Sequence, residues 1–266
     1  MAKLKFLAAC CALLLCPPAL EARRVVSLMP SYTEIIFELG AGGELVGVTN
    51  FCNWPSSAAA VERTGDYLRP NVEKIYSLKP DLVFAGAWAA ASSVKQLSAL
   101  KIKVAALPEE KNVGDIYATI RRIGAELDRG PQAEALEHKL KALLPSAPPQ
   151  KPLKVYLEAD TGGWTAGGKS FLSDAIRLAG GANIFGNEKR GYFQASWEEV
   201  LLLDPAAVIL LSGTKEEFLA RPMAATLTAV KEGRIITSLD RDAFSRPGPR
   251  LFTEIMRLKT FLYGRK

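Results

Sequence analysis

Short apolar runs alternate with amphipathic stretches along most of the chain, and that alternation predicts strands interleaved with helices. Apolar runs of strand length occupy 24–28, 45–48, 82–85 and 104–107. Between them, Pro30 and a Ser31-x-x-Glu34 capping box predict a helix ending near Gly40. Further helices are expected from Val72 and over 92–100, and a loop over 49–67 holds Phe51, Trp54 and Pro55. The period then changes. Ile116, Ile120, Ile123, Leu127, Leu136, Leu140 and Leu143 recur at roughly helical spacing and predict one long helix over 113–144, with Gly130-Pro131 the place where it would kink. Prolines over 145–152 stop it. Strands over 154–157, 207–211 and 235–238 follow, with helices over 172–178 and 251–263. Such alternation means mostly parallel sheets covered by helices. The expected fold is α/β: two Rossmann-like lobes with central, mostly parallel sheets, joined by one long α-helix. The N-terminal lobe takes 23–110, the linking helix 111–146 and the C-terminal lobe 147–266.

An internal repeat supports the division. Glu73-Lys74-Ile75-Tyr76-Ser77-Leu78-Lys79-Pro80 matches Glu198-Glu199-Val200-Leu201-Leu202-Leu203-Asp204-Pro205 without a gap. A helix cap, Asn71 or Ser196, stands nine residues before each proline. Residues 1–22 read as an export signal: Lys3 and Lys5, then an apolar stretch from Phe6 to Cys16, then Pro17-Pro18 and small residues up to Ala22. The stretch is too short to span a bilayer. Leu7-Ala8-Ala9-Cys10 resembles a lipoprotein box, but so early a cysteine leaves little apolar sequence before it, so cleavage is favoured and lipid anchoring is kept as the alternative. Cys10, Cys11 and Cys16 would leave with the signal, and Cys52 alone of the four cysteines would remain. The chain of 266 residues has a net charge of +6, which falls by one when Lys3, Lys5 and Glu21 leave. It has no basic block or aromatic-interleaved basic stripe, so nucleic acid is not an expected partner.

Several residues invite a catalytic reading. Gly163-Trp164-Thr165-Ala166-Gly167-Gly168-Lys169-Ser170 fits the phosphate-loop pattern of a nucleoside-triphosphate hydrolase. It argues against itself, because Trp164 is bulky where such loops need small residues and no strand elsewhere ends in the acid that would hold magnesium. The single histidine, His138, sits among charges on the predicted long helix, and Cys52 lies in no nucleophile motif. The chain does not read as an enzyme, and no cofactor or metal is expected.

Aromatic residues carry more information. Phe51, Trp54, Tyr67, Trp88, Trp164, Tyr192, Phe193 and Phe244 fall in loops after strands or before helices. In open α/β sheets such loops line the crevice at the carboxyl ends of the strands. Flat rings with a few polar groups suit a large, partly apolar organic ligand. The loop from Asp242 through Phe244 and Arg246 to Arg250 adds a carboxylate and two guanidinium groups. Glu73 and Glu198 each stand in the first turn of a helix, where the macrodipole favours a carboxylate. Equivalent placement suggests two exposed acids, one per lobe.

The chain resembles the periplasmic substrate-binding proteins of ABC importers whose two lobes are joined by a single long helix, and which carry cobalamin, haem or ferric siderophores. The resemblance spans the mature chain and is closest to the cobalamin-binding branch. It rests on the run from Val25 to Glu34 (Val-Val-Ser-Leu-Met-Pro-Ser-Tyr-Thr-Glu), on Val46-Gly47-Val48-Thr49-Asn50-Phe51-Cys52-Asn53-Trp54-Pro55, on Asn71-Val72-Glu73-Lys74-Ile75, on Leu78-Lys79-Pro80-Asp81-Leu82-Val83, and on Gly180-Gly181-Ala182-Asn183-Ile184-Phe185. It implies that Phe51 packs against a corrin, and that Tyr67, Trp88, Trp164 and Tyr192 are cleft aromatics. It implies that Asp242 and Arg246 make polar contacts to the ligand, while Glu73 and Glu198 dock onto arginines of a permease dimer in the inner membrane. Several family tryptophans are tyrosine or phenylalanine here. Haem binders offer iron a Tyr or His, a role Tyr67 or Tyr192 could fill. The expected protein is a periplasmic monomer that captures cobalamin or a related corrinoid, with a ferric siderophore or haem as alternative ligands.

Overall fold

The computed structural model describes residues 23–87, 89, 91–144 and 151–264; the expected signal over 1–22 lies outside them. The N-terminal half runs β1 (Val25–Ser27), α1 (Pro30–Glu38), β2 (Leu45–Val48), α2 (Val72–Ser77), β3 (Leu82–Ala85), α3 (Ala91–Ala99) and β4 (Lys103–Ala106). Two helices follow, α4 (Val113–Glu126) and α5 (Gly130–Leu143). The C-terminal half begins with β5 (Leu153–Glu158), β6 (Trp164–Ala166), α6 (Phe171–Leu178), β7 (Gly181–Asn183) and β8 (Tyr192–Gln194). It continues through α7 (Trp197–Leu203), β9 (Ala207–Leu210), α8 (Lys215–Leu219), α9 (Thr228–Lys231), β10 (Ile235–Ile236), α10 (Arg241–Ser245) and α11 (Pro249–Tyr263).

Each half builds a four-stranded parallel sheet, in the orders β2-β1-β3-β4 and β10-β9-β5-β7. The two-lobe α/β architecture is therefore as the pattern predicts. Parallel strands covered on both faces should be apolar at consecutive positions, and Val25, Val26, Leu82, Val83, Phe84 and Ala85 are all buried. Side-chain alternation splits them: Val26 and Val83 pack with Ile75 of α2 and Leu97 of α3, while Val25 and Phe84 face α1 and α4. The latter layer does not stop at the lobe boundary. Ile35, Ile120, Leu136, Leu157, Ile176, Ile209, Ile255 and Leu258 belong to one continuous apolar cluster joining both sheets.

Three local expectations are corrected. The segment over 113–144 is not one long helix but a pair folded against itself. Arg121 donates to Glu137 at 2.6 Å, although residues 16 apart on a straight helix would be about 24 Å apart. Asp128 takes a left-handed conformation (φ 56°) that ends α4, and Pro131 begins α5 where its missing N–H costs nothing. Periodicity could not see the break, because both helices turn their apolar faces to the same layer. Second, the capping box at Ser31 does not form. α1 starts one residue earlier at Pro30, its N-cap Met29 gives no side-chain bond, and Glu34 is drawn to arginines instead. Third, Trp164 to Ala166 form a strand antiparallel to Tyr192 to Gln194, outside the parallel sheet. Asn71 and Ser196 do cap α2 and α7, as the repeat requires. No helix among the described residues is long and apolar enough to cross a membrane.

Candidate functional site

A cleft of about 560 Å³ opens between the lobes. Its lining follows from the topology: Met29 to Ser31 leave β1, Phe51 follows β2, and Glu109 and Glu110 follow β4. On the other side, Ala159 follows β5 and Arg241 and Asp242 follow β10. Both sheets thus point the carboxyl ends of their strands at one space, the arrangement in which open α/β sheets bind ligands.

Aromatic rings face this space from both walls. Phe51 and Tyr67 meet edge to face at 5.5 Å between centroids, which fixes the Phe51 ring while leaving it half exposed. Phe171 and Tyr192 stand on the opposite wall. Burial pushes the Tyr192 hydroxyl up to about 12, with a bond to Ser170 opposing it, so the phenol keeps its proton near neutrality.

The floor is polar. Arg246 donates to Glu34 at 3.2 Å, to the Asn53 side-chain oxygen at 2.7 Å and to the Phe51 carbonyl at 3.1 Å, and it pairs with Asp242 at 2.9 Å. Asn53 returns a bond to Asp242 at 2.6 Å. Arg250 adds a second guanidinium to Glu34 at 3.4 Å and stacks over the Trp54 ring at 4.5 Å. Arg246 therefore acts first as a brace that holds the Phe51 backbone against the C-terminal loop. Burial raises the Glu34 carboxyl above its ordinary range, and the two guanidinium groups oppose the shift. Beside the cleft, Thr119 donates to buried Glu110 at 2.7 Å, and burial raises that carboxyl too.

Of the expected site residues, Phe51, Tyr67, Tyr192, Asp242 and Arg246 come together in the cleft. Trp164 does not: it is 49% exposed on β6 and stands outside the lining. Phe244 is corrected outright. It is 0% exposed, because α10 turns it inward to pack with the shared apolar layer. Trp88 lies outside the described residues. Glu73 and Glu198 are exposed in the first turns of α2 and α7.

Glu109, Glu110, Arg241 and Ser245 also line the cleft, as does Ser31, which the sequence marks only as a helix-start residue. Their signal was positional: each lies just beyond a strand end or one turn into the next helix. The phosphate-loop resemblance fails on hydrogen bonding. The Gly167 and Gly168 amides already donate to the carbonyls of Gly191 and Glu188, and the Ser170 hydroxyl caps α6, so the two glycines at the centre of the pattern have no N–H free for a phosphate. Cys52 is buried between the Thr33 and Thr49 hydroxyls, and His138 is exposed on α5.

Known proteins share this architecture. The chain is 31% identical over 251 residues to a vitamin B12-binding protein of Vibrio vulnificus, covering 89% of each. It is 30% identical over 256 residues to an uncharacterized ABC transporter substrate-binding lipoprotein of Bacillus subtilis, covering 91% of this chain and 81% of the relative. A periplasmic haem-binding protein from Roseiflexus superposes with a TM-score of 0.81 at 25% identity, over 91% of this chain and 98% of that one. A family signature described as periplasmic binding protein matches residues 25–241. Fold, cleft and relatives agree: the chain belongs to the periplasmic binding protein family.

Proposed function

We propose that this protein is the extracytoplasmic substrate-binding component of an ABC importer, and that it captures cobalamin or a related corrinoid between its lobes. The observation that carries the proposal is the cleft itself. It joins the carboxyl ends of two parallel sheets and sets Phe51 and Tyr67 opposite Phe171 and Tyr192, with polar groups on its floor. Rings on opposed walls suit a flat, partly apolar macrocycle. The B12-binding relative supports the same ligand class. In this reading lobes 23–110 and 147–266 act as the two jaws of a monomer, exported to the periplasm with residues 1–22 removed.

Titrating the purified protein with cyanocobalamin, haemin and a ferric hydroxamate while following tryptophan emission tests the ligand. Cyanocobalamin quenching at micromolar concentration is expected, and its absence would remove the corrinoid reading. A haem reading keeps one specific support, the placement of the Tyr67 and Tyr192 phenols in the cleft beside the likeness to a haem-binding structure. A Soret band shifted by haemin, and lost in Tyr67→Phe or Tyr192→Phe, would favour it.

Delivery is assigned to Glu73 and Glu198, one exposed acid on each lobe in matching capped helices. A membrane permease dimer would offer two equivalent basic sites to such a pair. The double variant Glu73→Ala, Glu198→Ala should lower ligand uptake through the reconstituted permease by about tenfold or more, on the order expected when both charged contacts are lost. Ligand affinity should stay unchanged, and a fall in affinity would place those acids in cleft function instead.

A further inference from the structure

The hydrogen-bonding groups of the cleft are unevenly spent. On the C-terminal wall Arg246 is engaged by four acceptors, and Arg241 faces Asp160 at 3.4 Å. The N-terminal wall carries Ser31, Glu109 and Glu110 and, among the described residues, no cation. Ser31 is 1% exposed, and its hydroxyl has no hydrogen-bond partner among the described residues although it borders the cleft. Glu109 is half-buried, with neither a hydrogen bond nor an ion pair among the described residues. Glu110 stands behind it, 6% exposed and anchored by Thr119. This wall therefore holds oxygen atoms that lack donors, in a space that a large ligand would dry.

We infer that Ser31 and Glu109, backed by Glu110, form a specificity wall that takes the N–H donors of peripheral primary amides and rejects carboxylates at the same positions. The inference deepens the corrinoid reading and rests on it. A primary amide offers two donors and one acceptor, which match the Glu109 carboxylate and the Ser31 hydroxyl together. A carboxylate would bring like charge against Glu109 and Glu110 with little water to screen it, and would leave their lone pairs unmet. A corrinoid rim is fringed with amides, whereas a haem edge carries two carboxylates. The wall thus distinguishes ligands that the aromatic rings alone would treat alike.

The test compares cyanocobalamin with its monocarboxylic acids, in which one peripheral amide is hydrolysed, and with haemin. At least one monocarboxylate should bind the unaltered protein roughly tenfold more weakly than cyanocobalamin. In Glu109→Gln that ratio should fall below about threefold, with an unchanged melting temperature. Ser31→Ala should weaken cyanocobalamin about fivefold. An unchanged ratio in Glu109→Gln, or a preference of the unaltered protein for haemin, overturns the inference. If no corrinoid binds, the corrinoid reading falls, and haemin against its bis-amide decides the inference separately. Tighter or equal binding of the dicarboxylate overturns it, as does failure to bind either.

Discussion

Glu34 and Arg246 show how a single pair can set the geometry of a cleft. Glu34 is almost fully buried and takes two guanidinium groups on one oxygen, while the other oxygen has no partner among the described residues. Arg246 spends its remaining donors on Asn53 and the Phe51 carbonyl. Removing it strands a buried carboxylate and releases the Phe51 loop, although Arg250 still faces Glu34. Arg246→Ala is expected to lower unfolding free energy by about 2 kcal/mol in urea titration, and to weaken ligand binding by about tenfold or more by calorimetry. Retained affinity at that level of destabilisation would show that the brace does not position Phe51. Glu110 makes a pH argument. Burial raises its folded carboxyl above the ordinary 4.5, so the folded state holds its proton more tightly than the unfolded chain. Stability is then fully supported below that ordinary value and declines as pH rises through the raised one. Glu110→Gln should flatten this decline, read as the difference in urea midpoint between acid and neutral buffer.

At the scale of elements, the hairpin of α4 and α5 is the informative departure. A Cβ at Gly124 would fall 2.5 Å from the Ala133 Cβ and 3.1 Å from the Arg129 carbonyl. Gly124→Ala is therefore expected to destabilise by about 1–3 kcal/mol through overpacking. In one continuous helix the same change would stabilise by up to about 1 kcal/mol, so the sign of the shift in chemical denaturation distinguishes the two. Most strands of the two main sheets were legible because a doubly covered strand is a continuous apolar run, as Leu82, Val83 and Phe84 illustrate; β7 was not, because Gly181-Ala182-Asn183 is short and carries no such run. The cleft was legible in part for the same reason: whatever follows a strand lines it, which located Phe51, Asp242 and Arg246. Glu109 and Ser31 obey that rule equally, but no aromatic or motif marks Glu109, and the capping pattern at Ser31 points to a helix start rather than to the cleft. Phe244 misled because a five-residue helix, α10, carries too few positions to reveal which side is inward. The Ser31 box misled because the local capping signal competed with a tertiary attraction, Glu34 to Arg246 and Arg250.

Across the whole molecule, the two sheets share one apolar layer built from α1, α4, α5, α6 and α11. Bending the lobes about a hinge would shear this layer and expose part of it to water, at a cost proportional to the area opened. Closure on ligand should therefore be small. Spin labels at Ser98 and Lys231, one per lobe, are expected to change separation by less than roughly 2 Å on saturation with ligand, and a larger displacement would contradict a shared rigid layer. Under the proposed function, delivery would then not rest on a partner sensing a wide swing of the lobes. If Glu73 and Glu198 dock as proposed, their spacing would be a nearly fixed ruler, the same before and after loading.

That common layer also ties the fates of the two halves. Neither sheet has a private core on its inner side, so a chain that has emerged only as far as α3 lacks the surface that completes its first sheet. Ile255 and Leu258, near the end of the sequence, supply part of what covers the lobe built first. A folding chain therefore keeps apolar surface open until α11 docks, and the period before that docking is when it most needs protection from aggregation.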